Sequence, residues 1–191
     1  MNSRKFLSIL AIAGTLFMSC SDDDDNPAPV NPEELITTMT VTLTAGTDVV
    51  TLRVFDEDGQ DGPIAPVVEV SGNLAANTTY NASIGLLNES VNPADNVRED
   101  DVEPEADEHQ FFFEAAGGLN VVATYSDTEA DYPPLTGTNP VGLEFQLETG
   151  DASTGTFTVT LRHEPTKPND GTLAGAGGDT DIAQAFPITI E

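Results

Sequence analysis

From Ile36 onward, apolar residues recur at every second position, and no stretch sustains a period of 3.6. Met39, Val41 and Leu43 alternate with Thr38, Thr40, Thr42 and Thr44. Successive side chains of a strand point to opposite faces, so this pattern predicts a half-buried β-strand with threonine on its polar face. Ala45-Gly46-Thr47-Asp48 reads as a turn, and Val50, Leu52 and Val54 resume the alternation, which makes a hairpin. Further strands are expected at Val67, Val68 and Val70, at Tyr80 to Leu86 and at Phe111 to Phe113. Val121 to Tyr125, Val141 to Leu147, Phe157 to Leu161 and Ile182 to Ile190 complete the series. Pro187 in the last of these points to an edge strand or a bulge. The single helical turn expected lies within residues 97–108, where Pro104 limits it. Eight or nine short strands joined by Gly, Pro, Asn and Asp loops predict an all-β, antiparallel sandwich, Ig-like or jelly-roll-like, over residues 35–191.

The N-terminus carries a different pattern. Arg4 and Lys5 precede an apolar run over residues 6–17, the length of a signal-peptide core and too short to span a bilayer. Phe17-Met18-Ser19-Cys20 resembles the lipobox of bacterial lipoproteins, with Phe17 where most carry leucine. The expected organisation is a signal peptide over residues 1–19, cleavage before Cys20 and lipid on that cysteine. Cys20 is the only cysteine, so no intramolecular disulfide can form, and thioether linkage to lipid would remove a lone reactive thiol. Ser21 and four successive aspartates, Asp22 to Asp25, lead into Asn26-Pro27-Ala28-Pro29, a solvated tether over residues 20–34. The acidic run also resembles the export signal of Bacteroidota lipoproteins delivered to the cell surface. The expected address is the outer membrane on its cell-surface side, with the periplasmic face as the alternative.

Six Lys+Arg against 33 Asp+Glu give a formal charge of −27. Such a chain repels nucleic acid and anionic lipid heads and favours cations or basic partners. Motifs for metalloproteases, α/β-hydrolases, P-loops and dinucleotide binding are missing, and there is no tryptophan to line a sugar cleft. The reading is therefore a binding protein rather than an enzyme.

Both histidines are flanked by acids, in Glu105-Ala106-Asp107-Glu108-His109 and in Arg162-His163-Glu164. His109 opens one expected strand and His163 ends another. In an antiparallel pair these positions lie side by side, which would bring both imidazoles to one end of the sandwich. Two neutral imidazoles with carboxylates suit Zn²⁺ or Cu²⁺, so His109, His163, Glu105, Glu108 and Glu164 are the candidate ligands. A second candidate is residues 56–62, where Asp56, Asp58 and Asp61 alternate with Gly59 and Gly62 as in a calcium loop, although no Glu follows at the twelfth position. The rival reading there is an acidic turn whose glycines supply positive φ. Nine acids within residues 88–108 read as a solvated loop, with cation-dependent ordering as the alternative.

The segments Val70-Ser71-Gly72-Asn73-Leu74, Leu86-Leu87-Asn88-Glu89, Glu105 to Phe112, Thr158 to Pro165 and Gly177 to Ile182 together resemble a family of small Bacteroidota lipoproteins labelled as type 1 periplasmic binding fold proteins. The resemblance implies an exported ligand-binding role. The label implies two α/β lobes with parallel sheets, which this strand periodicity does not supply. By analogy of compartment, a TonB-dependent outer-membrane transporter is the expected partner, with a divalent metal or metal complex as cargo. The alternative is a structural or adhesion lipoprotein with no small ligand.

Overall fold

The computed structural model describes residues 35–59 and 62–191. Cys20, the signal peptide and the acidic tether lie outside the described residues, as does Asp61. Nine strands form in the order β1 (Thr38–Ala45), β2 (Asp48–Phe55), β3 (Val67–Val70), β4 (Thr79–Leu87), β5 (His109–Ala116), β6 (Val121–Tyr125), β7 (Glu144–Thr149), β8 (Ser153–His163) and β9 (Asp179–Ile190). A six-stranded sheet runs β3-β2-β1-β4-β7-β6 and a three-stranded sheet runs β5-β8-β9, with every strand pairing antiparallel. The protein is an all-β sandwich, as its periodicity predicts. No described helix is long and apolar enough to cross a membrane.

The core follows from alternation. Met39, Val41 and Leu43 on β1 stand opposite Val54, Leu52 and Val50 on β2, and opposite Leu86, Ile84 and Ala82 on β4. All nine are buried, while Thr40, Thr42 and Thr44 are only partly covered. A slip of one residue would turn this whole row outward, so burial fixes the register. Gly46, at φ 61°, opens the two-residue turn between β1 and β2, where a glycine in the first position matches strand twist.

The smaller sheet contributes Phe111, Phe157, Val159, Leu161, Phe186, Ile188 and Ile190 to the same core. Phe113 joins them, with its ring centroid 4.1 Å from that of Phe145 on the larger sheet and 6.0 Å from that of Phe157. The opposite face of this sheet is also covered: Gln110, Phe112 and Thr160 are buried, and Asn169 from the loop after β8 donates to Gln110 Oε1 at 2.8 Å. Three consecutive phenylalanines are thus accommodated by a strand with cover on both sides. Pro187 lies on β9, an edge strand, where its missing N–H breaks no central ladder.

The acidic loop after β4 holds a five-residue π-helical turn, Arg98–Val102, inside the expected window. Val97, Val102 and Ala106 anchor it in the core. Arg98 gathers it electrostatically, donating to Glu103 Oε1 at 2.7 Å, to Glu144 Oε1 at 2.8 Å and to the Ile84 carbonyl at 2.7 Å. One guanidinium and three apolar anchors hold this acid-rich segment.

These burial patterns separate the two kinds of position on β8. Phe157→Ala is expected to lower unfolding free energy by about 3–5 kcal/mol. Thr158→Ala, on the other face, should change it by less than about 0.5 kcal/mol. Urea denaturation of both variants checks the pair.

Candidate metal centre

His109 and His163 are direct partners across the β5–β8 pair. The Glu164 N–H donates to the Glu108 carbonyl at 2.6 Å, so the ladder bonds flank this pair instead of joining it. The Phe111 N–H, two residues on, points away from β8 and donates to the Val141 carbonyl at 2.7 Å, which keeps the same phase. Non-hydrogen-bonded pairs carry the closer side chains. The two ring centroids stand 4.7 Å apart at an interplanar angle of 31°. Both rings share the inward face with Phe111 and Leu161, and both residues are buried.

Asp181 completes the group through a β-bulge. Leu161 pairs with Ile182 and Arg162 with Thr180, which leaves Asp181 as the extra residue of β9. A bulge re-aims a side chain that regular pleating would send the other way. Asp181 and Ile182 are accordingly both buried although adjacent in sequence. The Asp181 carboxylate divides between the two imidazoles: Oδ2 lies 3.8 Å from His109 Nε2, and Oδ1 lies 3.8 Å from His163 Nδ1. Its side chain has no solvent exposure, nor has that of His109, and His163 retains 8%.

The tautomer of His109 is set by its other nitrogen. Nδ1 lies 3.0 Å from the Glu105 carbonyl, which can only accept, so Nδ1 carries the proton. In the neutral ring Nε2 then presents its lone pair toward Asp181. A backbone carbonyl that holds one imidazole N–H fixes the tautomer and makes the other nitrogen the ligand atom, as in metal-binding histidines. One ligand atom from each of His109, His163 and Asp181 falls within 4.8 Å of the others. Ligand atoms bound tetrahedrally at ~2.0–2.1 Å from zinc stand roughly 3.3 Å apart, so a modest inward movement of these side chains would close the group on one ion.

A second group, Glu108, His163 and Glu164, lies beside the first and shares His163. Glu108 Oε2 is 3.9 Å from His163 Nε2, with its side chain half exposed. His163 therefore turns one nitrogen inward to Asp181 and the other toward the surface acids. Glu164 adopts φ 49° directly after His163, ending the strand. Of the carboxylates expected from sequence, Glu108 and Glu164 stand in this outer group. Glu105 stands in neither, and its contribution is the backbone carbonyl that fixes His109. Asp181, absent from the expected set, is the carboxylate buried between the rings.

Lys167 positions the segment that carries His109. Its ammonium donates to the Ala106 carbonyl at 2.6 Å and the His109 carbonyl at 2.7 Å, and pairs with Glu129 Oε1 at 3.2 Å. Lys167 and Glu129 are both more than nine-tenths buried. Burial pushes the Lys167 ammonium below the usual lysine range, with Glu129 opposing that drop. On the far side, a side chain at Gly178 would run into the His163 carbonyl, and Gly178 adopts φ 70°, so glycine there lets the loop close over the end of β8.

The Asp56 and Asp58 pair of the second candidate sits apart, at the end of β2. The Ile64 N–H donates to Asp58 Oδ2 at 3.1 Å, and Gly59 adopts φ 78°, as an acidic turn requires. Asp56 is buried, and desolvation raises its carboxyl above the usual aspartate range, with Asp58 adding to the rise and a backbone hydrogen bond from Asp58 opposing it. No third His, Cys, Asp or Glu among the described residues converges on this pair.

No protein-family model, curated protein or solved structure matches the chain.

The raised Asp56 carboxyl has a definite sign. A carboxyl whose pKa is higher folded than unfolded contributes stability below its unfolded value of 3.8, and that contribution is lost as pH rises through the folded value. Asp56→Asn should therefore gain stability over the natural chain progressively as pH rises from about 3 to 7. Urea titrations across that range measure it. A constant difference would show that Asp56 does not titrate abnormally.

Proposed function

We propose that this chain is a lipid-anchored envelope protein whose β-sandwich captures a divalent transition metal, with His109, His163 and Asp181 as the inner ligands. The observation that carries the reading is the convergence of these three side chains, drawn from three adjacent strands, with one ligand atom from each within 4.8 Å of the others inside the fold. Two imidazoles and one carboxylate favour Zn²⁺, Cu²⁺ or another borderline ion over Ca²⁺, which takes six to eight oxygens. Three protein ligands leave a tetrahedral ion one further position, for water or a group carried with the metal.

Glu108 and Glu164 provide an approach. They stand at the exposed side of His163, and the formal charge of −27 concentrates cations at the surface. Diacylation of Cys20, as its lipobox suggests, would hold the domain at the outer membrane, where handing metal to a TonB-dependent transporter is the corresponding role. Function as a structural or adhesion lipoprotein is the competing reading. It needs no metal, and a proton shared by the histidines and Asp181 would then neutralise the cluster.

Isothermal titration of the intact protein with Zn²⁺, Cu²⁺ and Ca²⁺ separates the two. Submicromolar binding of Zn²⁺ or Cu²⁺ is expected. His109→Ala, His163→Ala and Asp181→Asn should each weaken it at least tenfold, and Glu105→Gln should leave it within about twofold. Absence of heat with any of the three cations would favour the structural reading.

A further inference from the structure

A cavity of about 340 Å³ lies between the loop after β2 and the start of β9. Its size is at the lower end of small-molecule sites, and far exceeds one bound ion. Ile36, Val54 and Ile182, all buried core residues, form an apolar floor, and exposed Ile64 stands on the wall. Asp56 also lines it, more than nine-tenths buried. Asp56 Oδ1 is covered from solvent, and the Asp56 carboxyl stands against Asp58, whose backbone N–H also bonds to it. Shielding a carboxyl beside a second acid costs stability, and such a group above an apolar floor is not what core packing would select.

We propose that this cavity binds a small organic cation with an apolar tail, its ammonium taken by Asp56 and its tail laid along Ile36, Val54 and Ile182. An ammonium supplies donors and the charge that the paired carboxyls lack, and charge-assisted bonds to a shielded carboxylate are the strong ones. The apolar floor selects against a bare metal ion, because Ile36, Val54 and Ile182 offer no ligand side chain and only two described carboxyls are at hand. The site is separate from the histidine cluster and does not depend on metal capture.

The probes are n-hexylammonium, hexan-1-ol and Ca²⁺, followed by amide chemical shifts of the intact protein. Hexylammonium should bind saturably, with the largest shifts at Ile36, Val54 and residues 182–184. Hexan-1-ol, which has the tail without the charge, should bind at least tenfold more weakly. Asp56→Asn should weaken hexylammonium at least tenfold while leaving hexan-1-ol unchanged. Ala65→Phe, a substitution at an exposed wall position, should block both without disturbing the fold. Equal affinity for the alcohol, no effect of Asp56→Asn, no saturable binding of hexylammonium, or its displacement by Ca²⁺ would each overturn the proposal.

Discussion

The register of β8 between β5 and β9 is the constraint on which both the core and the metal centre depend. Phe157, Val159, Leu161 and His163 lie on one face of β8 at a spacing of two residues. The first three are core residues, and burying them fixes which face of the strand turns inward. His163 is carried inward by the same alternation, as His109 is by Phe111 and Phe113. Hydrophobic burial, worth about 25 cal/mol per Å² of apolar surface, thus supplies the precision with which two polar rings are placed. A one-residue slip would send the imidazoles to the other face together with the core.

The strands were legible because each has one clear apolar face and sits between recognisable turns. The histidine pair was legible for a related reason: one residue opens a strand and the other closes its antiparallel neighbour. Asp181 was not legible. Alternation read back from Ile190, Ile188, Phe186 and Ile182 assigns it to the outward face, and only the bulge reverses that assignment. Bulges arise where the lengths of paired strands disagree, a property of tertiary pairing that local pattern does not carry. Lys167 was hidden for a different reason. It lies in the loop after β8, and its partners, Ala106, His109 and Glu129, are 61, 58 and 38 residues away. Glu105 shows the opposite case, in which a correctly noticed neighbour of the site contributes through its backbone.

Acidity has more than one structural meaning in this molecule. Around Arg98 it is neutralised locally, and the segment folds with an internal cation of its own. At Glu129 it is paired with a buried lysine whose other bonds hold the strand entering the site. Around Asp181 and Asp56 the carboxylates are buried, the first between two imidazoles and the second beside Asp58. Burying a carboxylate is costly in a core that could have been apolar, and perturbed titratable groups cluster at functional sites. The two sites meet β9 at consecutive residues, Asp181 and Ile182, at the strand's bulge.

X-ray absorption at the zinc edge of the metal-loaded intact protein reads the ligand set at His109, His163 and Asp181. A four-coordinate shell with two imidazole nitrogens and carboxylate oxygen at ~2.0–2.1 Å is expected, losing one imidazole in His109→Ala. An oxygen-only shell with no imidazole scattering, unchanged in that variant, would contradict it.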